Sequence, residues 1–457
     1  MLEMGCQLSA AALWRTLIEH AVMQRSQSRT VVNPRPHPDI EPDGLLEAVQ
    51  RQTFRFFWEG AHQASGCARD RQKTTGDPNN DLVAVGGTGF GVMAIVVAVE
   101  RGWVDRTAAV QRLDRILSFL ERAERHHGAF PHFLNAVTGA VVPLTRRDDG
   151  ADLVETALLL QGLICAREYF DQPGEAEATL RSRIEGLWAG VDWAWFTRGE
   201  RHLTWHWSPN HSWDMDLRIA GWNECLIAYV LAAASERHPI DPDIYHEGFA
   251  TALSFRNGRT FHGVELPLGV DYGGPLFFAH YSFCGIDPRG LRDRHADYWE
   301  QNLRHARINH AHCVANPHGF AGYGEDSWGL TAAHGPSRYR AFCPVNDAGV
   351  IAPTAALSSL PYLPQESMRA LRGFLRRPRL WGRFGFVDAF SDQDNWYART
   401  YLAVNQGPIV AMMENYRSGL LWKLFMRSRE ARTGLTRLGF ESPWLDEQSA
   451  PKALGQA

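Results

Sequence analysis

Residues 221–231 have the sequence GWNECLIAYVL, in which a single carboxylate, Glu224, stands directly before an apolar run. Residues 152–160, DLVETALLL, repeat the arrangement, with Asp152 and Glu155 at the start of a second apolar run. Acidic side chains are favoured in the first turn of a helix, and a long apolar run indicates a helix that is buried on most sides. We therefore predict two core helices that begin at carboxylates.

Helical periodicity recurs through most of the chain, whereas strands do not alternate with helices, so a parallel α/β sheet is not expected. About eleven helices with long loops predict an all-α fold, a toroid with short β-hairpins in its loops. A hairpin is predicted from residues 129–135 and 139–142, and a single strand from residues 259–266. The predicted helices are Gly44–Glu59, Gly89–Glu100, Arg106–Glu124, Asp152–Phe170, Glu175–Phe196, Ile219–Ser235, Ile244–Leu253, Arg292–Arg307, Thr354–Leu357, Pro364–Leu375 and Asn405–Met426.

Proline placement divides the chain into three parts. Residues 31–39, VVNPRPHPD, are typical of a linker, so residues 1–42 are predicted to be an N-terminal extension. Residues 43–430 form the predicted folded domain, and residues 431–457 the predicted C-terminal tail. The N-terminus shows no clear signal peptide, because residues 10–22 contain Arg15, Glu19 and His20.

Composition narrows the class of ligand. The 457 residues carry a formal net charge of −4, so no basic surface for nucleic acid is expected. No apolar stretch is long enough for a membrane-spanning helix, so membrane insertion is not expected either. The seven cysteines are scattered without a C-x-x-C pair, which predicts neither a zinc site nor a disulfide framework. A neutral ligand fits this balance best.

The carboxylates of the two core helices are the first candidates for chemistry. Asp152 and Glu155 are three residues apart and therefore lie on one helix face, where they either enter a cleft or only cap the helix. Glu224 beside Trp222 either has its pKa raised by desolvation, as a general acid requires, or is a structural acid at a helix start. Paired carboxylates in an aromatic cleft are what glycosidic bond cleavage requires.

Aromatic and glycine-rich segments supply candidate ligand contacts. Residues 202–213, HLTWHWSPNHSW, contain Trp205, His206 and Trp207, whose rings suit sugar faces; its histidines lack the helical H-E-x-x-H context of a zinc site. Residues 86–91, GGTGFG, lack the strand of a dinucleotide-binding unit, and we expect these glycines to turn the backbone into a helix. Asp388 is a further candidate acid. Further candidates for substrate binding, in aromatic or glycine-containing segments, are Trp222, Tyr323, Glu325, Trp396, Asn405 and Gln406.

Seven segments of the sequence together resemble the glycoamylase-like family, and within it the chain is most similar to glycoside hydrolase family 144, the bacterial β-1,2-glucanases. The resemblance extends from about Gly44 to Met426. The segments are Thr88–Gly91 (TGFG), Asp152–Thr156 (DLVET), Gly221–Glu224 (GWNE), Asp271–Phe277 (DYGGPLF), Tyr323–Asp326 (YGED), Ala352–Ala356 (APTAA) and Gln406–Ile409 (QGPI).

This resemblance implies an (α/α)6 barrel and an anomer-inverting hydrolase of neutral β-1,2-glucan that uses no metal and no organic cofactor. It also implies that Glu224 occupies the general-acid position and that Asp152 and Glu155 match acids of the family's cleft. A periplasmic or secreted location is implied as well.

One departure from the family pattern concerns the base. The relatives have Asp before the Gln-Gly-Pro-Ile motif, whereas this chain has Asn405 before Gln406. An amide cannot accept the proton of the attacking water at neutral pH. Either Asp388, Asp152 or Asp148 replaces that acid, or the protein is a glucan-binding protein or a transglycosylase of the same clan. Arg399-Thr400 also differs from the acidic-polar pair expected there, which favours a site rebuilt for another β-glucan.

Overall fold

The computed structural model describes residues 35–252 and 254–446. Helices dominate this part of the chain, as the periodicity predicts. Within it the α-helices are α1 (Pro42–Trp58), α2 (Val85–Glu100), α3 (Arg106–Arg122), α4 (Leu153–Tyr169), α5 (Glu175–Ala189), α6 (Leu226–Ala234), α7 (Tyr298–Ala315), α8 (Pro353–Ser358), α9 (Pro364–Leu375), α10 (Ala403–Arg417), α11 (Leu420–Arg427) and α12 (Arg429–Arg437).

Five helices, α2, α4, α6, α8 and α10, form an inner ring. Nearly all residues of these helices are buried, because each packs against neighbours on several sides. Helix α2 contacts α4 and α10, α4 contacts α6, and α10 contacts α8. The apolar runs of the sequence therefore mark the inner helices, as expected for helices without a solvent-facing side.

A segment of short 3₁₀ turns, residues 276–284, fills the sixth place in the ring, between α6 and α8. The hydroxyl of Ser282 accepts a hydrogen bond from the Ile227 amide of α6 at 3.1 Å. On the other side, Nε2 of His280 lies 3.0 Å from Oγ of Ser359, which directly follows α8. These two hydrogen bonds connect the segment to both neighbouring helices.

Amphipathic helices surround the inner ring. Helix α1 packs on α2 and α10, α9 packs on α8, and α12 packs on α6. Helix α3 contacts both α2 and α5. The predicted all-α toroid is confirmed, with six inner elements surrounded by outer helices.

The glycines of residues 86–91 lie inside α2, and the prediction that they turn the backbone into a helix is wrong. Gly89 packs against Gly162 of α4 so closely that a Cβ on either residue would overlap the other helix backbone. The run of glycines therefore allows two inner helices to approach each other, which side chains at these positions would prevent.

Short strands connect the helices. In the described part the strands are β1 (Arg71–Lys73), β2 (Leu82–Ala84), β3 (Phe133–Asn135), β4 (Ala151–Asp152), β5 (Leu203–Thr204), β6 (His206–Trp207), β7 (Arg218–Ile219), β8 (Arg256–Phe261), β9 (Val264–Leu268), β10 (Ala332–His334), β11 (Tyr339–Ala341), β12 (Trp381–Gly382), β13 (Gly385–Phe386), β14 (Phe390–Ser391), β15 (Trp396–Tyr397) and β16 (Thr400–Leu402). These described strands form antiparallel pairs, β1–β16, β2–β3, β4–β6, β5–β7, β8–β9, β10–β11, β12–β13 and β14–β15.

Two predicted strands differ in the structure. The main partner of β3 is β2. Residues 139–142 add the bridge of Val141 to Leu134 and backbone hydrogen bonds from the Asn135 amide to the Ala140 carbonyl and from the Val142 amide to the Phe133 carbonyl, at 2.9 and 3.0 Å. The strand predicted at 259–266 is a hairpin, because His262 and Gly263 adopt φ of 49° and 78° and reverse the chain between β8 and β9.

The observed boundaries of three helices also differ from the predicted ones. Helix α6 begins at Leu226, so Glu224 lies in the turn before it and not in its first turn. The helix predicted at 405–426 is broken between α10 and α11, where Gly419 adopts a φ of 70°. The tail predicted from residue 431 is wrong in its first part, because α12 spans Arg429–Arg437 and packs on α6.

The predicted N-terminal extension, residues 1–42, lies outside the described residues up to position 34, and α1 includes its last residue, Pro42. Among the described helices, none combines the length and the apolar character that crossing a membrane requires.

Candidate active site

A cavity of about 430 Å³ opens where the inner helices α2, α4, α6 and α10 begin. Helix N-termini carry partial positive charge and unpaired amides, so carboxylates are favoured at this end of the ring. The lining residues are Asp70, Arg71, Ala84, His132, Phe133, Leu144, Val154, Glu155, Leu158, Trp205, Glu224, Phe277, Tyr281, Ala332, Tyr339, Leu402 and Val404.

Asp152 is fully buried and organises one wall of the cavity. Its Oδ1 caps α4 by accepting the amides of Val154 and Glu155 at 3.0 and 2.9 Å. The same oxygen accepts Nε1 of Trp205 at 3.0 Å. Strand β4 pairs with β6 so that Asp152 is opposite His206, and this register brings the predicted aromatic segment to the acid. Asp152 therefore both caps the helix and fixes residues of the cleft.

Two histidines flank the second oxygen of Asp152. Nδ1 of His132 lies 3.1 Å and Nε2 of His206 lies 3.2 Å from Oδ2. Burial alone lowers the pKa of His132, but the Glu155 and Asp152 carboxylates outweigh burial and raise it to about 10. Asp152 likewise raises the pKa of His206 against the effect of burial. Although burial opposes it, the neighbouring His206 and His132 lower the pKa of Asp152, so Asp152 is an anion.

Glu155 faces the cavity from the first turn of α4. Its Oε2 accepts the amide of Gly86, at the N-terminus of α2, at 2.6 Å. Burial, aided by the neighbouring Asp152 anion, raises the pKa of Glu155 to about 7 although His132 acts in the opposite direction. A carboxyl of this kind exchanges its proton close to neutral pH, where acid–base catalysis is most effective.

Glu224 reaches the cavity from the turn before α6. Ser282 donates its hydroxyl hydrogen to the Glu224 carbonyl, and Oδ1 of Asn223 accepts the Cys225 amide at 3.0 Å, so the backbone on both sides of the acid is held. Burial raises the pKa of Glu224 to about 7, and the charges of Asp152 and Glu155 act in the same direction. Glu224 is therefore protonated up to neutral pH, as the sequence predicts for a general acid.

Three residues of this wall could hold a metal ion. One ligand atom each of His132, Asp148 and Asp152 lies within 4.8 Å of the others. However, both oxygens of Asp152 already accept hydrogen bonds, and His132 and His206 supply positive charge beside it. Asp148 is buried, which raises its pKa, and its Oδ2 lies 3.6 Å from Nε2 of His206. Hydrogen bonds from the two imidazoles, Trp205 and the backbone therefore occupy the Asp152 oxygens that a metal ion would need.

Asp388 and Asn405 lie together behind the opposite wall. Oδ1 of Asp388 accepts Nδ2 of Asn405 at 2.7 Å. Its Oδ2 accepts the backbone amide and Nδ1 of His334, at 2.7 and 2.8 Å. The Asp388 side chain is fully buried and is not part of the cavity lining. Hydrogen bonds to His334 and Asn405 thus engage both oxygens of the Asp388 carboxylate.

The candidate sugar-binding residues are divided between the cavity, the core and the surface. Trp205 lines the cavity, whereas Trp222 is 2% exposed and packs against Phe255, Phe283 and Tyr298 in the core. Trp222 therefore has no face free for a sugar.

Like His206 and Asn405, five other candidates lie outside the cavity lining. Trp207 packs against Trp195, and Tyr323 donates its hydroxyl to Asp347. Glu325 lies at the surface, paired with Arg369. Gln406 is buried, with Nε2 donating to the Phe386 carbonyl at 2.8 Å, and Trp396 lines a second cavity.

Sequence reasoning missed several cavity residues. Asp70 lines the cavity with Oδ2 accepting Nε of Arg71 at 2.6 Å, and Tyr339 contributes an aromatic wall. Both come from short strands or the loops beside them, β1 and β11, where no helical pattern marks them. Only the pairing of β1 with β16 places Asp70 and Arg71 near the start of α10, so no local signal could have found them.

The Glycoamylase family model matches residues 216–429. A solved endo-β-1,2-glucanase from Chitinophaga pinensis, in complex with sophorotriose and glucose, is 49% identical, with 89% of this chain and 100% of that chain covered and a TM-score of 0.86. This chain belongs to the glycoamylase-like family. The similarity also agrees with glycoside hydrolase family 144, as the sequence motifs indicate.

Two other relatives extend the comparison. An exo β-1,2-glucooligosaccharide sophorohydrolase (non-reducing end) from Parabacteroides distasonis is 41% identical over 447 residues, with 93% of this chain covered. This glycoamylase-like chain spans 61% of that protein's length. An endo-β-1,2-glucanase from Talaromyces funiculosus is 11% identical with a TM-score of 0.64, covering 87% of this chain and 89% of that chain, and shows that the fold is shared.

Proposed function

We propose that the protein is a glycoside hydrolase that cleaves β-1,2-linked glucan by an anomer-inverting acid–base mechanism. The strongest support is that the carboxyl groups of Glu224 and Glu155 line the same cavity. Burial raises the pKa of each to about 7. The relatives described as β-1,2-glucanase and sophorohydrolase make β-1,2-glucan the substrate class.

In this mechanism Glu224 protonates the oxygen of the leaving sugar, while a second carboxylate removes a proton from water on the opposite face of the ring. Burial keeps the proton on Glu224 before the reaction. As the glycosidic bond breaks, that proton passes to the leaving oxygen, and the hydroxyl of the water becomes bonded to the anomeric carbon.

Two carboxylates of the cavity wall can accept the proton from water, Glu155 and Asp70. Asp152 is assigned a positioning role, because His132, His206 and Trp205 engage both of its oxygens. Asp388 and Asp148, which the sequence offers as replacement bases, are both buried away from the lining of the cavity. The base is therefore placed on Glu155 or Asp70 and not on the residues next to Asn405.

The test is release of reducing sugar from linear β-1,2-glucan by the parent protein and by Glu224→Gln. Loss of a general acid lowers the rate by roughly 10²–10⁴. Retained binding of the glucan by Glu224→Gln shows that the cavity is intact. Parent-like hydrolysis by Glu224→Gln would contradict the assignment.

A substrate whose leaving group needs no proton distinguishes the general acid from the general base, because only loss of the base still slows its hydrolysis. On a dinitrophenyl β-sophoroside, Glu224→Gln is expected to regain much of the parent rate, because the leaving group departs unprotonated. Glu155→Gln and Asp70→Asn are compared on the same substrate, and the variant that stays slow identifies the base.

A glucan-binding protein is the second candidate, because Asn405 stands where the family pattern has Asp. It predicts binding without hydrolysis by the parent and hydrolysis by Asn405→Asp. Longer products from oligosaccharides, in place of reducing sugar, would instead identify a transglycosylase.

A further inference from the structure

A second cavity, of about 530 Å³, lies next to the central one. Hairpin β10–β11 contributes to both, since Ala332 and Tyr339 line the central cavity and His334 lines the second. Strand β16 also contributes to both, since Leu402 lines the central cavity and Thr400 lines the second. The two cavities are therefore separated by single elements of backbone.

Two arginines and one carboxylate line the second cavity, so positive charge is in excess there. Arg399 is exposed and makes no ion pair with any residue in the described ranges. Arg379 donates Nη1 to Oδ1 of the neutral Asn395 at 2.8 Å and lies 4.4 Å from the ring centre of Tyr397. One carboxylate lines the cavity, Asp394, and its Oδ2 accepts the Ser391 hydroxyl at 3.1 Å.

Neighbouring arginines show that pairing is available on this side of the protein. Arg377 binds Asp392 with Nη2 at 2.8 Å, and Arg376 binds Asp326 at 3.1 Å. In the central cavity the acids Asp70, Glu155 and Glu224 face the cationic side chains of Arg71 and His132, so opposite charges largely offset one another there. The second cavity has two arginines and one carboxylate in its lining, so an anionic group is attracted to it more strongly.

An aromatic surface accompanies the arginines. Trp396 is half-buried against the core and contributes to the lining of the second cavity. An indole face suits the C–H side of a sugar ring, whereas a guanidinium fork binds carboxylate or phosphate oxygens in pairs. The combination fits a sugar that bears a charged group better than it fits a neutral sugar alone.

We propose that the second cavity binds a sugar unit carrying an anionic oxyacid substituent, a carboxylate or phosphate ester, on a glucan held in the central cavity. This inference rests on the proposed function for its glucan and adds a charged substrate class. Arg379 and Arg399 bind the substituent, and Trp396 supports the sugar.

The experiment compares two derivatives of one linear β-1,2-glucan. Succinic anhydride adds half-esters that carry a carboxylate, and acetic anhydride adds neutral esters to the same extent. The ratio of kcat/KM for the succinylated over the acetylated glucan is measured for the parent and for Arg399→Gln, Arg379→Gln and the double variant. Arg294→Gln, an exposed arginine that lines neither cavity, is the control of equal charge.

The ratio is expected to fall roughly tenfold in the double variant, because the loss of a hydrogen bond to a charged group weakens binding by at least about that factor. In Arg294→Gln the ratio should stay unchanged. The parent's preference should also weaken with added salt. An equal ratio in parent and double variant overturns the proposal.

A binding measurement keeps this result separate from the proposed hydrolysis. Affinity for the two derivatives is measured by calorimetry in the Glu224→Gln background, which requires no cleavage. Tighter binding of the succinylated glucan that is lost with both arginines supports the proposal even if no variant hydrolyses either glucan. Competition by inorganic phosphate without any preference between the glucans would identify a site for free anions and overturn the assignment to a sugar substituent.

Discussion

Nδ2 of Asn405 lies 2.7 Å from Oδ1 of Asp388, so the amide that departs from the family pattern donates directly to a buried carboxylate. The same Nδ2 also donates to the Ala332 carbonyl at 3.0 Å. Asn405 thus connects α10 to hairpin β10–β11, which forms part of the wall between the two cavities. The substitution has a structural consequence apart from the loss of a base.

Asn405→Asp should destabilise the protein at neutral pH by about 1–3 kcal/mol, because a donor becomes an acceptor facing the buried Asp388. Two adjacent carboxylates share a proton, so the loss should diminish as the pH falls toward the acid range. Urea unfolding at several pH values measures this, with Asn405→Ala as the uncharged control. Unchanged stability together with higher hydrolysis would contradict this prediction and favour Asp as the missing base.

The rate of hydrolysis should fall above neutral pH. Glu224 has a pKa of about 7, raised by burial, so its proton is present below that pH and is lost as the pH rises through it. As the general acid must be protonated, kcat/KM should decrease about tenfold per pH unit on the alkaline side. A pH profile with the natural glucan measures the effect. With a leaving group that needs no proton, the alkaline decrease due to Glu224 should disappear.

Substitution of Trp205 should mainly lower activity, whereas substitution of Trp222 should mainly lower stability. Trp222→Ala should lower the free energy of unfolding by about 3–5 kcal/mol, since the side chain is buried in the core. Trp205→Phe keeps an aromatic ring but removes the donor to Asp152, so it should lower kcat/KM with a smaller loss of stability. Thermal unfolding and kinetics of both variants are the measurement. A raised KM with unchanged stability in Trp222→Phe would show that this ring binds sugar.

Gly162→Ala should destabilise the toroid by about 1–3 kcal/mol, because its Cβ would overlap the backbone of Gly89 in the adjacent inner helix. Gly186→Ala is the matched control in an exposed part of α5, where no atom lies within 4 Å of the added carbon. The control should gain about 0.5–1 kcal/mol, since alanine is the better helix former. Chemical unfolding of both variants tests the prediction, and equal effects would contradict the close contact of the two helices.

Glu325 should be dispensable for hydrolysis. It is paired with Arg369 at the surface and does not line either cavity, although its motif is among those shared with the family. Glu325→Gln is expected to keep kcat/KM within about twofold, because exposed ion pairs contribute little. A loss comparable to that of Glu224→Gln would return Glu325 to the list of substrate contacts.

Local sequence patterns predict the inner helices and the acids at or just before their starts. The apolar runs after Asp152 and Glu224 are local signals, because a helix buried on all sides must be apolar all round and an acid is favoured at its N-terminus. The all-α toroid and the acids of its N-terminal end could therefore be predicted from periodicity together with the family motifs.

Which polar residues contact each other depends on how distant parts of the chain pack together. Asp152 acquires His206 through the register of β4 and β6, and Asp70 reaches the cavity through the pairing of β1 with β16. These strands are two or three residues long, too short to carry a periodic signal. Trp222 and Trp205 look alike in sequence, yet one is buried in the core and the other lines the cavity. Contacts between residues far apart in the chain are set by packing, and for that reason a local pattern predicts the helices but not the site that they surround.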